Sequence, residues 1–330
     1  MKFAILGAGA LGTILGAHLS RAGHDVVMIA RGERARTLQR QGLVLNGLSD
    51  LKARPHVIDD PRKLLDTDTL IIATKAIDTA QAIDSLAHVR LNTALSVQNG
   101  VLKNELLARA FGFSRVLGAM ADFSGELLAN GEVKFTRNVC LHLGGERDGT
   151  ARAEEIAKII DSAGVRSQAV ADIRTREWSK FAGWIAQFPL AVLTRQITWK
   201  FLMDERSALV IARIVRESAA LAAAMKIDLV DMPPLPVLSI AGGTDAQAIE
   251  IIRGIGQTFL DKSPEHRMSA QQDVLRGSRL EYEETLGYAL TKGREFGVPM
   301  PTLDTLYRII AVAGLSCFPS SENGTVPFVR

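Results

Sequence analysis

A doubly wound α/β domain followed by a mainly α-helical one is the fold class that this 330-residue chain predicts, on three observations. A glycine-spaced turn, Gly7-Ala8-Gly9-Ala10-Leu11-Gly12, separates an apolar run from an amphipathic one at the start. Strand and helix patterns then alternate to about residue 170, and past Ala169 the strand patterns all but vanish. Such alternation builds a parallel sheet covered by helices, and its loss marks a second domain. The length agrees, because it exceeds one ordinary hydrophobic core. The division is expected as residues 1–170 and 171–330.

Residues 3–6 read as a short buried strand, and Leu11, Leu15, Leu19 and Ala22 recur at helical spacing up to a stop at Gly23. Residues 25–30 return to strand, completing a βαβ unit of the size a right-handed crossover needs. Helices over 33–41, 79–87 and 103–111 then alternate with strands at 69–74 and 95–98. Between residues 116 and 145 the runs are short and β-type, with Asn130-Gly131 as a turn, which predicts an antiparallel edge to the sheet. A helix over 151–163 closes the first half. The second half carries helical periodicity over 175–193, 207–225, 246–259 and 278–296, broken at Met232-Pro233-Pro234-Leu235-Pro236 and at Pro299 and Pro301. The last dozen residues read as a loose tail.

Composition narrows the function classes. Lys and Arg number 39 against 36 Asp and Glu, a net charge of +3 with no long run of either sign, which excludes a dedicated nucleic-acid or membrane-surface protein and leaves a small anionic ligand compatible. Cys140 and Cys317 with six scattered His give neither a disulfide framework nor metal-ligand spacing, and fit a reducing, cytoplasmic setting. The apolar opening could pass for a secretory leader, but three glycines interrupt it and helix and strand follow, so no leader is expected. Lys180, Arg195, Arg213 and Arg216 break the apolar windows of the second half, so no membrane span is expected.

The chemistry begins at the glycines. Gly7 permits a sharp turn, Gly9 lets a pyrophosphate approach the backbone, and Gly12 allows close helix packing, with Ala8, Ala10 and Leu11 between them. With a strand before it and a helix after it, the pattern reads as the first turn of a Rossmann dinucleotide site; the alternative is a glycine-rich turn in a ligand-free α/β protein. At the end of the second strand, where NAD enzymes place an acid for the ribose 2′-hydroxyl, stands Arg31. A guanidinium suits a 2′-phosphate, which favours NADPH, while Glu33 keeps NAD open and a solvated Arg31 is the plain alternative. Lys75 and Asn99-Gly100 lie at carboxyl ends of predicted strands, the edge where such sheets bind ligands, although a surface lysine and an ordinary turn read the same way.

These residues resemble the ketopantoate reductases (2-dehydropantoate 2-reductases). The match runs in order from the glycine turn through Arg31, Thr74-Lys75-Ala76, Gln98-Asn99-Gly100, Glu177-Trp178-Ser179-Lys180-Phe181-Ala182, Ser269-Ala270-Gln271-Gln272-Asp273-Val274 and Arg279-Leu280-Glu281-Tyr282. The resemblance implies reduction of a 2-keto acid by NADPH, with Lys180 as proton donor and Glu281 holding the lysine or the substrate hydroxyl. Hydride delivery to a ketone builds negative charge on oxygen, which an ammonium stabilises and protonates, and a carboxylate beside it fixes its position. By the same resemblance Ser269 helps bind the substrate carboxylate, Lys75 and Asn99 line the nicotinamide side, and Asn99 also faces substrate; Asp273, four residues after Ser269, falls on the same helical face and is placed to support it.

The chain departs from the family where asparagines usually follow the lysine by four and eight residues: here stand Trp184 and Phe188. As substrate-facing residues they would dry the pocket and favour an apolar or aromatic 2-keto acid over one with a 4-hydroxyl. As core residues they would leave Gln187 or Thr194 to supply the polar contact. His266 stands where some members have Asn. Three functions follow: ketopantoate reduction on the way to pantothenate, reduction of another 2-keto acid as in the D-mandelate-type dehydrogenases, and a non-catalytic NADP-binding sensor, against which Lys180 with Glu281 argues. Leu209, Ile211, Ile214 and Val215 form a stripe that fits either a homodimer surface or a core.

Overall fold

The computed structural model describes residues 1–145 and 149–313; Cys317 and the expected tail lie outside the described residues. The chain folds as two compact units, Met1–Glu177 and a second from Trp178 on.

The first unit is built on a ten-stranded sheet ordered β4-β3-β9-β8-β7-β6-β1-β2-β5, with β10 also on β9. Its parallel half holds β1 (Lys2–Leu6), β2 (Asp25–Ile29), β5 (His56–Ile58), β6 (Asp66–Ile72) and β7 (Arg90–Ser96). Their middles are apolar runs without alternation, because helices cover both faces. On one face α1 (Ala10–Arg21) and α5 (Thr150–Ser162) bring Ile14, Leu15, Ile156 and Ile160 onto Phe3, Ile5 and Met28. On the other α3 (Thr79–Asp84) and α4 (Leu102–Phe111) bring Ile83, Leu107 and Phe111 onto Leu70 and Ile72. Each such side chain, fully buried, contributes about 1.5–3 kcal/mol. The helix α2 (Gly32–Gln41) is polar except for Ala35 and Leu38.

The antiparallel pair is present as β8 (Val116–Leu127) and β9 (Val133–Gly144), joined at Asn130-Gly131. It is not an edge. β3 (Leu43–Gly47) adds in parallel to β9, β4 (Leu51–Ala53) pairs antiparallel with β3, and β10 (Ser167–Ala169) adds to the other part of β9. The short strands β3, β4, β5 and β10 are absent from the sequence reading because three to five residues carry too little periodicity to show a face.

The second unit is helical among its described residues: the greater part of α6 (Ile173–Thr194), then α7 (Thr198–Met203), α8 (Glu205–Ala224), α9 (Val237–Gly242), α10 (Asp245–Lys262), α11 (Ser269–Leu275), α12 (Tyr288–Glu295) and α13 (Pro301–Val312). The division between units falls inside α6. α8 is the hub, packed by α7, α9, α10, α12 and α13. Ile211, Ile214 and Val215 are wholly buried there and belong to the core, while Leu209 is half-buried. Asp204 caps α8 through the Ser207 amide, and Thr244 with Gln247 forms a capping box on α10. The helix expected over 278–296 starts instead after Glu281, with a π-helical turn, Glu283–Gly287, leading into α12. No described helix is long and apolar enough to cross a membrane.

Candidate active site

The turn between β1 and α1 is shaped by packing that excludes side chains. Gly7 has a φ of +106°, and a Cβ there would lie 2.6 Å from the Thr74 amide nitrogen. At Gly12 a Cβ would fall 1.9 Å from the Gly7 carbonyl oxygen, so the helix can start this close to the strand only at glycine. Gly9 is different: a Cβ there would meet nothing within 4 Å. The N-terminus of α1 has no side-chain cap and no acid in its first turn. Open backbone before an uncapped helix start offers amides and a positive dipole end to a phosphate, which is the fit a dinucleotide requires.

The ends of neighbouring strands close around this turn. The Gly7 amide donates to Ile29 at 3.0 Å and the Ala73 amide to Leu6 at 2.8 Å. Gln98, 8% exposed, donates its amide to the Thr74 carbonyl at 2.8 Å and to the hydroxyls of Thr74 and Thr79 at 3.1 and 2.5 Å. That network holds the loops of Lys75, which is exposed, and Asn99, which is half-buried, on the carboxyl edge of the sheet with the glycines.

Arg31 stands at the residue before α2 and is exposed, lining a cavity of about 550 Å³ with Asp59, Asp60, Arg62, Lys63 and Ser85. Arg62 is paired with Asp60 at 2.9 Å and Lys63 with Asp59 at 2.7 Å, while Arg31 makes no ion pair among the described residues. Its guanidinium is the cation of that cavity available to an anion.

Arg34 is a further residue of this turn that the sequence does not single out. Its Nε donates to the Ala8 carbonyl at 2.7 Å, Nη2 to the Thr13 hydroxyl at 2.9 Å and Nη1 to the Gly131 carbonyl at 2.6 Å, tying the glycine turn to the β8–β9 turn. Burial lowers its pKa from the ordinary value, but an arginine stays charged throughout the working pH range. No local signal marks it, because it stands among charged residues on a helix that reads as solvated.

In the second unit Lys180 is half-buried on α6 and Glu281, 9% exposed, immediately precedes the turn of helix that leads to α12. Their elements meet through an edge-to-face series: Trp178 on Phe181 with centroids 5.7 Å apart, and Phe181 on Tyr288 of α12 at 6.4 Å. The Ser179 hydroxyl accepts from the Val230 amide at 2.9 Å, fixing the rotation of the helix next to Lys180. A π-turn beside Glu281 is the kind of irregularity that re-aims side chains at functional sites.

Trp184 is half-buried, and Phe188, 1% exposed, lies against its ring edge at 5.1 Å. Phe188 is therefore a core residue behind Trp184 rather than a wall of a pocket. Gln187 and Thr194 turn their polar groups onto their own helix, donating to the Gly183 and Leu190 carbonyls. Ser269 is exposed at the first position of α11, with Asp273 buried one turn on. His266 is 2.8 Å from the Thr198 hydroxyl through Nδ1. Among the described residues no cluster could hold a metal ion.

Two family models, Ketopantoate reductase PanE/ApbA and its C-terminal counterpart, match residues 3–146 and 172–313. The chain belongs to the ketopantoate reductase family. It is an oxidoreductase of the kind that acts on CH–OH groups. The 2-dehydropantoate 2-reductase of Archaeoglobus fulgidus is 29% identical over 308 residues, 93% of this chain and 95% of that one. The Pyrococcus abyssi enzyme of the same name is 26% identical, covering 94% and 97%. Among solved structures, a PanE/ApbA family ketopantoate reductase from Ralstonia eutropha JMP134 aligns with a TM-score of 0.79 at 25% identity over 94% and 98% of the two chains. D-Mandelate dehydrogenase, solved with NADH and anilino(oxo)acetate, aligns with a TM-score of 0.81 at 21% identity over 94% and 98%, a likeness of fold. Both halves of the ketopantoate reductase pattern are thus present in one chain.

Proposed function

We propose that this protein is an NADPH-dependent 2-keto acid reductase, with ketopantoate as substrate and pantoate as product. The observation that carries the reading is the glycine turn at the carboxyl edge of the sheet, in a chain that matches both halves of the family. Residues 1–170 hold the cofactor: Gly7 to Gly12 and the start of α1 take the pyrophosphate, Arg31 the 2′-phosphate, and Lys75 and Asn99 the nicotinamide side. Residues 171–330 supply the acid and the substrate contacts. When bound, NADPH supplies the hydride. The Lys180 ammonium stabilises the charge that grows on the keto oxygen and protonates it, Glu281 orients Lys180, and Ser269 binds the substrate carboxylate. General acid catalysis of this kind is worth about 10²- to 10⁴-fold.

Trp184 favours a second reading. An indole backed by Phe188 offers an apolar wall where a 4-hydroxyl would need a polar partner, so an aromatic 2-keto acid is the competing substrate. D-Mandelate dehydrogenase shares the fold and was solved with NADH. Oxidation of NADPH and of NADH by the purified protein, followed against ketopantoate, phenylglyoxylate, phenylpyruvate and 2-ketoisovalerate, separates the readings. Highest kcat/KM with ketopantoate and NADPH is expected; a preference for phenylglyoxylate selects the second reading, and no turnover with any of the four defeats both. A homodimer, as in the dimeric ketopantoate reductase of Staphylococcus aureus, is compatible with this function, although the buried Ile211, Ile214 and Val215 are not its surface.

A further inference from the structure

The first turn of α6 is seated on the sheet at two positions without side chains. Gly118 on β8 and Gly144 on β9 are cross-strand partners, and a Cβ on them would come within 2.9 and 2.6 Å of Ile173. One turn further along α6, Glu177 is 5% exposed and its carboxylate is fully engaged. It accepts from the Ala119 amide at 3.0 Å and from Asn104 Nδ2 at 2.7 Å, and forms an ion pair with Lys103. Lys103, 4% exposed, also donates to the Ala119 carbonyl at 3.0 Å and to Asn104 Oδ1 at 3.3 Å.

Two charges are a poor choice where a position needs only filling. Withdrawing both from water is costly, and apolar residues of the same volume often stabilise a fold as well or better. Lys103 also stands in the first turn of α4, where the helix dipole opposes a cation. What the ion pair adds over an apolar pair is direction, through bonds of fixed length to α4, β8 and α6 at once. Lys103 follows Asn99 by four residues, and Glu177 precedes Lys180 by three, on the same side of one continuous helix.

We propose that Lys103 and Glu177 are positioning residues for the reduction, fixing the first turn of α6, the helix that goes on to carry Lys180, to β8 and to the start of α4. This rests on the reading of Lys180 as proton donor. The double variant Lys103→Met with Glu177→Gln removes both charges at nearly constant volume and strands neither, so it is tested by thermal melting and by steady-state kinetics with the native protein's best 2-keto acid. A melting temperature close to native, KM for NADPH within about twofold and kcat at least about tenfold lower, equivalent to about 1.4 kcal/mol in the barrier, is expected. Native kcat at native stability overturns the proposal. Should the double variant not fold, Glu177→Asp keeps the charge and withdraws it by one methylene: lowered kcat at unchanged KM supports the pair's role, and native kcat refutes it. No turnover by the native protein with any 2-keto acid defeats the functional reading and this proposal together, whereas native turnover with indifferent variants defeats this proposal alone.

Discussion

Arg31 and Arg34 stand one helical turn apart and behave differently. Arg34 spends its donors on the Ala8 and Gly131 carbonyls and the Thr13 hydroxyl, and Arg31 is exposed beside a cavity whose other cations are paired. Only tertiary packing separates the two: the place of Arg31 after a strand is visible in the sequence, and the bonds of Arg34 are not. Trp184 and Phe188 show the same limit: helical spacing puts them on one face, and burial then assigns one to the core and leaves the other in part exposed. Lys180 carries the residue-scale prediction. Lys180→Ala should lower kcat by about 10²- to 10⁴-fold, the range of a general acid, and leave the dissociation constant for NADPH, measured by titration of its fluorescence, unchanged. Turnover within a factor of two of native would remove Lys180 from the mechanism.

Among the elements, α1 carries a stability determinant in His18. Its Nδ1 lies 2.9 Å from the Ala163 carbonyl, which can only accept, so Nδ1 carries the proton and Nε2 is left buried without a partner. Burial is the larger influence and lowers the His18 pKa, against a smaller upward effect of the carbonyl bond. Burial also lowers His24 and His142. A histidine held neutral in the folded state binds fewer protons than in the unfolded chain. Its contribution is therefore intact above the unfolded value of about 6.5 and is lost as pH falls from there towards the lower folded value. Melting temperature should drop between pH 7 and pH 5, and His18→Gln, which keeps a donor for Ala163, should flatten that drop. Equal slopes for the two proteins would assign the effect to other groups. Most long elements were legible because each repeats its apolar face over several turns or fills a buried run. The π-turn after Glu281 was not, since its extra residue per turn comes from packing rather than from a period in the sequence.

For the whole molecule, the split into an α/β and a helical half could be read from where strand patterns stop. The order of strands could not, because β3 pairs with β9 and no short-range rule couples residues so far apart in the chain. Ligand binding tests the molecule as a unit. NADPH at 100 times its dissociation constant should stabilise the folded state by about 2.7 kcal/mol and raise the melting temperature, and NADH at the same concentration should do less. Equal shifts from the two nucleotides would show that Arg31 does not select between them.

The distant partner of β3 also has a consequence for how the protein is made. Leu43 and Leu45 end almost wholly buried, yet the strand that completes their surroundings leaves the ribosome long after they do. During that interval the nascent chain carries an apolar β-segment with no sheet to join, the kind of surface that chaperones capture and that aggregates when they do not. Synthesis halted before Val133–Gly144 would leave β8 with an open edge as well. The interval between β3 and β9 is thus a stretch of translation in which this fold is open to misassembly.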